Sequence, residues 1–460
     1  MTSLRHLLSH AAARAADYRE RVVEGPVFPS GLDLDALRAS LGSLPDGPTA
    51  AATVVDELAD LVEPALVATT GPRYFGFVVG GALDAATAAD VLMTGWDQLA
   101  FNASTSPGAA LVEDVGGGWL KDLLGLPASA SFAFVTGGQG ANTVSLAAAR
   151  HHVLAEAGWD VEQRGLAGGP PVRVVATGER HATIDRALRL LGLGAGVLEP
   201  VATDAQGAID VADLVQVLAA RPAGPTIVCL QAGNVNSGAF DDLAAATAVA
   251  HAHGAWVHVD GAVGLWAAAN PPTRHLTAGI ELADSWGTDG HKWLNVPYDS
   301  GYAFCAHPEA HAAAMSFTAA YLTGHGEGGL RAPSDYVPES SRRARGFATW
   351  AALRELGRSG VADLVEQCCA MARRFAEQLA AIDRVTVAND VVLNQVLVGF
   401  GDDARTDRVV DLVQRSGECW MGATTWQGRR LMRISVSSWR TTAADVDRSV
   451  DAIRAAIERD

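Results

Sequence analysis

Three observations in the sequence predict an α/β fold: a mostly parallel central sheet with flanking helices, followed by a smaller α+β C-terminal domain. Short β-rich runs alternate with helical patterns between Phe132 and Ala306. A Gly-rich turn follows the first of those runs, and long helical stretches take over from about Arg342. Parallel neighbours need a crossover between them, which is why strand and helix patterns alternate in such chains.

The elements follow in order. SFAFV (131–135) leads into a helical pattern over Ala141 to Ala157, VRVVA (172–176) into Ala182 to Leu191, and TIVCL (226–230) into Asp241 to His253. AWVHV (255–259) and SGYAFCA (300–306) are further strand candidates. Apolar runs this short, with turn residues at their ends, suit strands buried on both faces. Residues 1–100 read as an N-terminal helical segment, 101–344 as a large α/β domain and 345–460 as a small α+β domain. The last has helices over Arg342 to Leu356 and Val361 to Ala380 at its entry, and strands at Asn394 to Phe400 and Leu431 to Val436. The stretch TGHGEGGLRAPSDYVPESS (323–341) is rich in Gly, Pro and Ser and reads as a mobile loop or lid. The N-terminal helices are amphipathic, which suits either packing on a partner subunit or a self-contained surface.

Composition narrows the function. The 460 residues are 49% hydrophobic and 19% charged, with 35 Lys plus Arg against 52 Asp plus Glu. The resulting net charge of −17 repels phosphate backbones and anionic lipid, so neither nucleic acid nor membrane is an expected partner. No run reaches the ~18 apolar residues of a membrane span, and the basic N-terminus lacks the apolar stretch of a signal peptide. Five cysteines without C-x-x-C spacing suit a reducing cytoplasm, the expected location. His251 and His253 lie two apart on a predicted helix and cannot share a face, so no metal site is expected.

Chemistry-bearing residues concentrate at predicted strand ends, where ligands bind in open α/β sheets. Thr136-Gly137-Gly138-Gln139-Gly140-Ala141-Asn142 joins a strand to a helix. It reads either as a phosphate cradle, with backbone N–H groups and the helix dipole facing an anion, or as a plain tight turn. Asp260 ends the strand Trp256-Val257-His258-Val259. It suits pairing with a protonated ring nitrogen, and equally a helix cap. Lys292 lies between His291 and Trp293; desolvation by such neighbours favours its amine form, which covalent bonding to a carbonyl requires.

These segments occur in one order, with Lys292 placed 292 − 260 = 32 residues after Asp260. Together, TGGQGAN, VDGA and HKW resemble the group II pyridoxal 5′-phosphate (PLP) dependent amino-acid decarboxylases, a family of fold type I in the aspartate aminotransferase superfamily. The resemblance implies PLP as cofactor, bound as an aldimine on Lys292. Asp260 is then expected at the pyridine nitrogen, Ala262 beneath the ring, and His181 stacked on it, a capping or core histidine being the other reading of His181. His291 is expected at the phosphate or substrate, and Gly138 and Gln139 at the phosphate. Asn234 stands where many relatives carry Thr and is expected near the cofactor. Tyr321 matches a loop tyrosine that protonates the quinonoid carbon after CO2 leaves.

The implied reaction turns an L-amino acid, with some preference for an aromatic or bulky side chain, into its amine. Trp96, Trp420 and Trp426 suit either an apolar substrate pocket or core packing. Arg433 suits either a grip on the substrate carboxylate or a remote salt bridge. A homodimer with sites at the subunit interface is implied as well. The same residues also fit an oxidative deaminase, a carbon–carbon bond-forming enzyme or, with less support, an aminotransferase. A non-catalytic PLP-binding regulator has no DNA-binding appendage or basic patch to support it.

Overall fold

The computed structural model describes residues 3–317 and 329–460. Its chain forms two compact units that are discontinuous in sequence. The larger takes Ala82–Ala372 and Asn389–Gln395, and the smaller takes Met1–Gly81, Arg373–Ala388 and Val396–Asp460. Consecutive segments read from the sequence miss this division, because apolar burial joins residues irrespective of their separation along the chain.

The smaller unit begins with helices α1 (Leu4–Arg21), α2 (Leu34–Leu41) and α3 (Ala51–Val62), none of which buries a residue fully. Ion pairs from Arg14 to Asp56 and Asp60 bind α1 to α3.

In the larger unit, α4 (Asp84–Trp96) and α5 (Pro107–Leu123) precede a seven-stranded sheet. Its strands are β1 (Ser131–Val135), β2 (Arg173–Thr177), β3 (Leu198–Val201), β4 (Thr226–Gln231), β5 (Trp256–Asp260), β6 (Ser285–Asp289) and β7 (Gly301–Cys305), in the order β1-β7-β6-β5-β4-β2-β3. All neighbours are parallel except that β7 runs antiparallel to both β1 and β6. The sheet is thus mixed but mostly parallel. The one strand that breaks the direction follows β6 without a crossover helix, as antiparallel pairing permits. β3 carries Pro200 and sits at the sheet edge, where a missing N–H is tolerated.

Helices α6 (Gly138–Glu156), α7 (Val161–Arg164), α8 (Ala182–Leu190), α9 (Val211–Ala219), α10 (Leu243–Ala252) and α11 (Pro308–Met315) flank the sheet or its connections. α6 buries Ala141, Ala147, Ala148 and Ala149, side chains small enough for the helix to lie close on the sheet. It shares a core with Val174, Ile184, Ile227 and Trp256, and each branched side chain so buried contributes about 1.5–3 kcal/mol. The two long helical patterns of the sequence form α12 (Gly346–Ala380), two helical stretches separated by a kink at non-helical Gly357, φ 60°.

The smaller unit is completed by β8 (Thr386–Val387), β9 (Gln395–Gly399), α13 (Asp403–Ser416), β10 (Gly422–Trp426), β11 (Arg429–Ser435) and α14 (Ala443–Arg459), with a four-stranded sheet in the order β10-β11-β9-β8. Trp426 packs in its core with Leu397 and Leu431, which makes it a packing residue.

One buried ion pair braces the larger unit. Arg342 donates to Glu113 at 2.6 Å and to the Phe134 carbonyl at 3.0 Å, with both charged side chains almost wholly enclosed. Glu113→Ala strands the guanidinium without its counter-charge. The expected loss is about 3–5 kcal/mol of stability, measurable by urea denaturation.

Candidate active site

The C-terminal ends of β5 and β6 lie side by side, with Asp260 in register with Gly287. The N-termini of α6 and α8 face them through side-chain bonds. Asp260 ends its strand buried, and its carboxylate accepts from the Ala262 N–H at 3.1 Å and from Asn142 Nδ2 at 3.0 Å. Asn142 Nδ2 also donates to Thr183 Oγ1 at 2.9 Å, which leaves Asn142 Oδ1 to accept from His258 Nε2 at 3.0 Å. His258 Nδ1 in turn faces Ser285 Oγ at 3.0 Å, and that oxygen accepts from Trp256 Nε1. Every donor in this chain meets an acceptor with His258 neutral.

Burial pushes the His258 imidazole down to about 4, against an opposing pull from Asp260. A histidine held neutral by the fold takes up its proton on unfolding, so its stability contribution is present above pH 6.5 and is lost as pH falls toward 4. His311, pushed down to about 3 by burial, acts with the same sign. Between pH 7 and pH 5, His258 alone is expected to cost about 2 kcal/mol. His258→Gln should flatten that dependence, read as the shift in urea midpoint between the two pH values.

Lys292 lies in the turn after β6. The chain contains two lysines. Lys121 donates its ammonium to the carbonyls of Ala128 and Ala130, whereas Lys292 Nζ lies 2.8 Å from Asp289 Oδ2. Asp289 is 1% exposed; its other oxygen accepts from the Gly138 N–H and lies 3.3 Å from His291 Nε2. His291 accepts from the Ser300 N–H at Nδ1 and stacks on Tyr298 at 4.3 Å, and burial lowers its pKa.

The glycines of the α6 turn are required by this crowding. A Cβ on Gly137 would meet His291 Cε1 at 2.7 Å, and one on Gly138 would meet Asp289 Oδ2 at 2.8 Å. The N–H groups of the first helical turn have no partner within the helix, so they and the dipole form an anion seat.

The remaining residues singled out by sequence have mixed surroundings. His181 caps α8, its Nδ1 accepting from the Thr183 N–H and facing the Thr183 hydroxyl at 2.8 Å. It thereby joins the chain that leads through Asn142 to Asp260. Gln139 donates to Thr143 and to the Thr183 carbonyl, so its side chain ties α6 to α8. Asn234 donates to the Glu179 carbonyl and to Gln231, and accepts from the N–H groups of Asn236 and Ser237. With its amide used in this way, Asn234 orders its own loop and ties it to the turn between β2 and α8. Trp96 is half exposed on α4, edge-on to Phe347. Arg433 lies on β11 and Trp420 stacks with Tyr74 and Phe77, all in the smaller unit. Tyr321 and residues 323–328 of the lid candidate lie outside the described residues.

Asn142, Thr183, His258 and Asp289 escaped the sequence reading as site residues, although three of them stand inside or beside quoted motifs. Their signal is a set of contacts spanning 41 to 151 residues, which no local pattern carries.

A buried strand-end carboxylate with two donors, a half-buried lysine and a glycine-cradled anion seat together suit a phosphate-bearing aldehyde with a basic ring nitrogen. They define a PLP-dependent enzyme. A family model described as the pyridoxal-dependent decarboxylase conserved domain matches residues 36–400, and the chain belongs to that family. Tryptophan decarboxylase 1 of Oryza sativa subsp. japonica is 29% identical over 473 residues, covering 95% of this chain and 90% of that protein. The 4-hydroxyphenylacetaldehyde synthase of Rhodiola rosea is 27% identical over 347 residues, covering 73% and 69%. The crystal structure of Oryza sativa TDC with PLP and tryptamine superposes with a TM-score of 0.91 at 25% identity, covering 99% of this chain and 98% of that one. The protein is a PLP-dependent amino-acid decarboxylase of fold type I. Among the described residues no helix is long and apolar enough to cross a membrane, and no group of three or more metal-ligating side chains is assembled.

Proposed function

We propose that this chain releases CO2 from an L-amino acid with an aromatic or bulky side chain and yields the amine. The observation that carries the reading is the hydrogen-bond chain that holds the Asp260 carboxylate beside the Lys292 turn. The names of its relatives, among them tryptophan and tyrosine decarboxylases, support the side-chain class. Bound PLP supplies an electron sink for the pair of electrons left when CO2 departs. Asp260 holds a proton on the ring nitrogen, Lys292 provides the amine for covalent attachment, and the α6 turn with Gly138 and Gln139 seats the phosphate. With PLP bound, Ala262 would pack beneath the ring, His181 would stack on it, and His291 would contact the phosphate or the substrate. Tyr321 delivers the proton to the substrate carbon.

A second reading, aldehyde formation, is favoured by the 4-hydroxyphenylacetaldehyde and phenylacetaldehyde synthases among the relatives. A panel of L-amino acids assayed for CO2, amine, aldehyde and hydrogen peroxide separates the two. Stoichiometric amine without peroxide is expected, and equal aldehyde and peroxide would replace the first reading by the second.

The working unit is proposed to be a homodimer. Leu4, Leu8, Leu41, Leu44, Val54 and Leu58 are exposed in the N-terminal helical region, and apolar surface of that extent is commonly covered by a partner. Light scattering on the eluting protein reads the mass directly.

A further inference from the structure

The anion seat at the start of α6 already faces an anion that belongs to the chain. Asp289 turns one oxygen to the Gly138 N–H and the other to Lys292 Nζ, and it is almost wholly enclosed. We propose that Asp289 competes with the cofactor's phosphate for this seat, so that loading PLP requires the carboxylate to take up one proton. The inference rests on the PLP reading above and concerns how tightly, and at what pH, the site fills.

The charge balance around Asp289 supports it. From its own turn it faces the Lys292 ammonium and the His291 ring, and Asp299 beyond His291 is paired with Arg345, just before α12. β5 presents neutral His258 and the Asp260 carboxylate, which is committed to Asn142 and Ala262. β7 presents Tyr302, whose phenol is pushed up to about 12 by burial and bonds to Thr349. The first turn of α6 brings no charged side chain, and Trp266 meets only the Asp289 carbonyl. One ammonium therefore serves one carboxylate. A phosphate dianion added at the same helix end exceeds the positive charge that the described residues place there. Protonation turns Asp289 from a competing acceptor into a neutral donor, which removes the repulsion at its source.

The test uses the full chain freed of cofactor and a probe that cannot bond to Lys292. Binding of 4′-deoxypyridoxine 5′-phosphate is measured by fluorescence from pH 7 to pH 9, where its phosphate is already a dianion, the second phosphate pKa being about 6. The same titration with 4′-deoxypyridoxine, which lacks the phosphate, isolates the phosphate's share as the ratio of the two Kd values. Expected is a phosphate advantage that shrinks by up to about tenfold per pH unit in the wild type. In Asp289→Asn, which keeps an acceptor for Gly138, it should be flat and larger at pH 9. His291 would contribute a slope of the same sign, and that slope would survive in Asp289→Asn. An unchanged slope in the variant, or a flat wild-type ratio, overturns the proposal and leaves the cofactor reading standing. Failure of the wild type to bind either PLP or the probe at any pH overturns both.

Discussion

Lys292→Ala is expected to abolish covalent PLP attachment and decarboxylation together. The absorbance band of lysine-bound cofactor should vanish, and kcat should fall by at least about 10³-fold, because no residue near the site supplies a second primary amine. Lys121, the other lysine, is tied to two carbonyls at the far end of α5. A second effect separates this variant from simple loss of a nucleophile. Removing the ammonium leaves Asp289 enclosed beside Gly138 without its cation, at a cost to the cofactor-free protein of about 3 kcal/mol. Lys292→Ala combined with Asp289→Asn should recover most of that stability while remaining inactive. If the double variant is no more stable than the single one, the ion pair contributes nothing to the fold.

Asp260→Asn has the second largest expected effect and a different signature. Lys292 is untouched, so the cofactor should still attach and its band should still form. The amide cannot hold a proton on the ring nitrogen as a carboxylate does, and kcat should fall by about 10²–10³-fold. Asp260→Glu keeps the charge and should recover part of the rate. Asn142→Ala acts through Asp260 by removing its 3.0 Å donor, and a smaller loss of kcat with little change in KM is expected. An Asp260→Asn enzyme with undiminished kcat would remove this carboxylate from the chemistry.

The central sheet was legible because its strands are short apolar runs separated by amphipathic helices, a pattern that burial on both faces imposes locally. β3 and β6 were not, since LEPV is too short and carries Pro200, and SWGTD lacks an apolar run. The two helical patterns at the entry to the C-terminal region were legible too, and Gly357 marks the break between them. TGGQGAN, VDGA and HKW were recognisable because backbone turns and strand ends need particular residues at adjacent positions.

The sequence by itself therefore determined the fold class, the PLP family and the identity of Lys292 and Asp260 as the residues to examine. Only the tertiary structure decided what surrounds them: that Asn142, itself held by Thr183 and His258, donates to Asp260, that Asn234 ties its loop to the Glu179 carbonyl, and that Asp289 faces Lys292 at the anion seat. The physical reason is range. Propensities and turn geometry act over a few residues and leave a mark in the sequence, whereas hydrogen bonds and ion pairs join side chains from distant segments once burial has brought the strand ends and helix starts together.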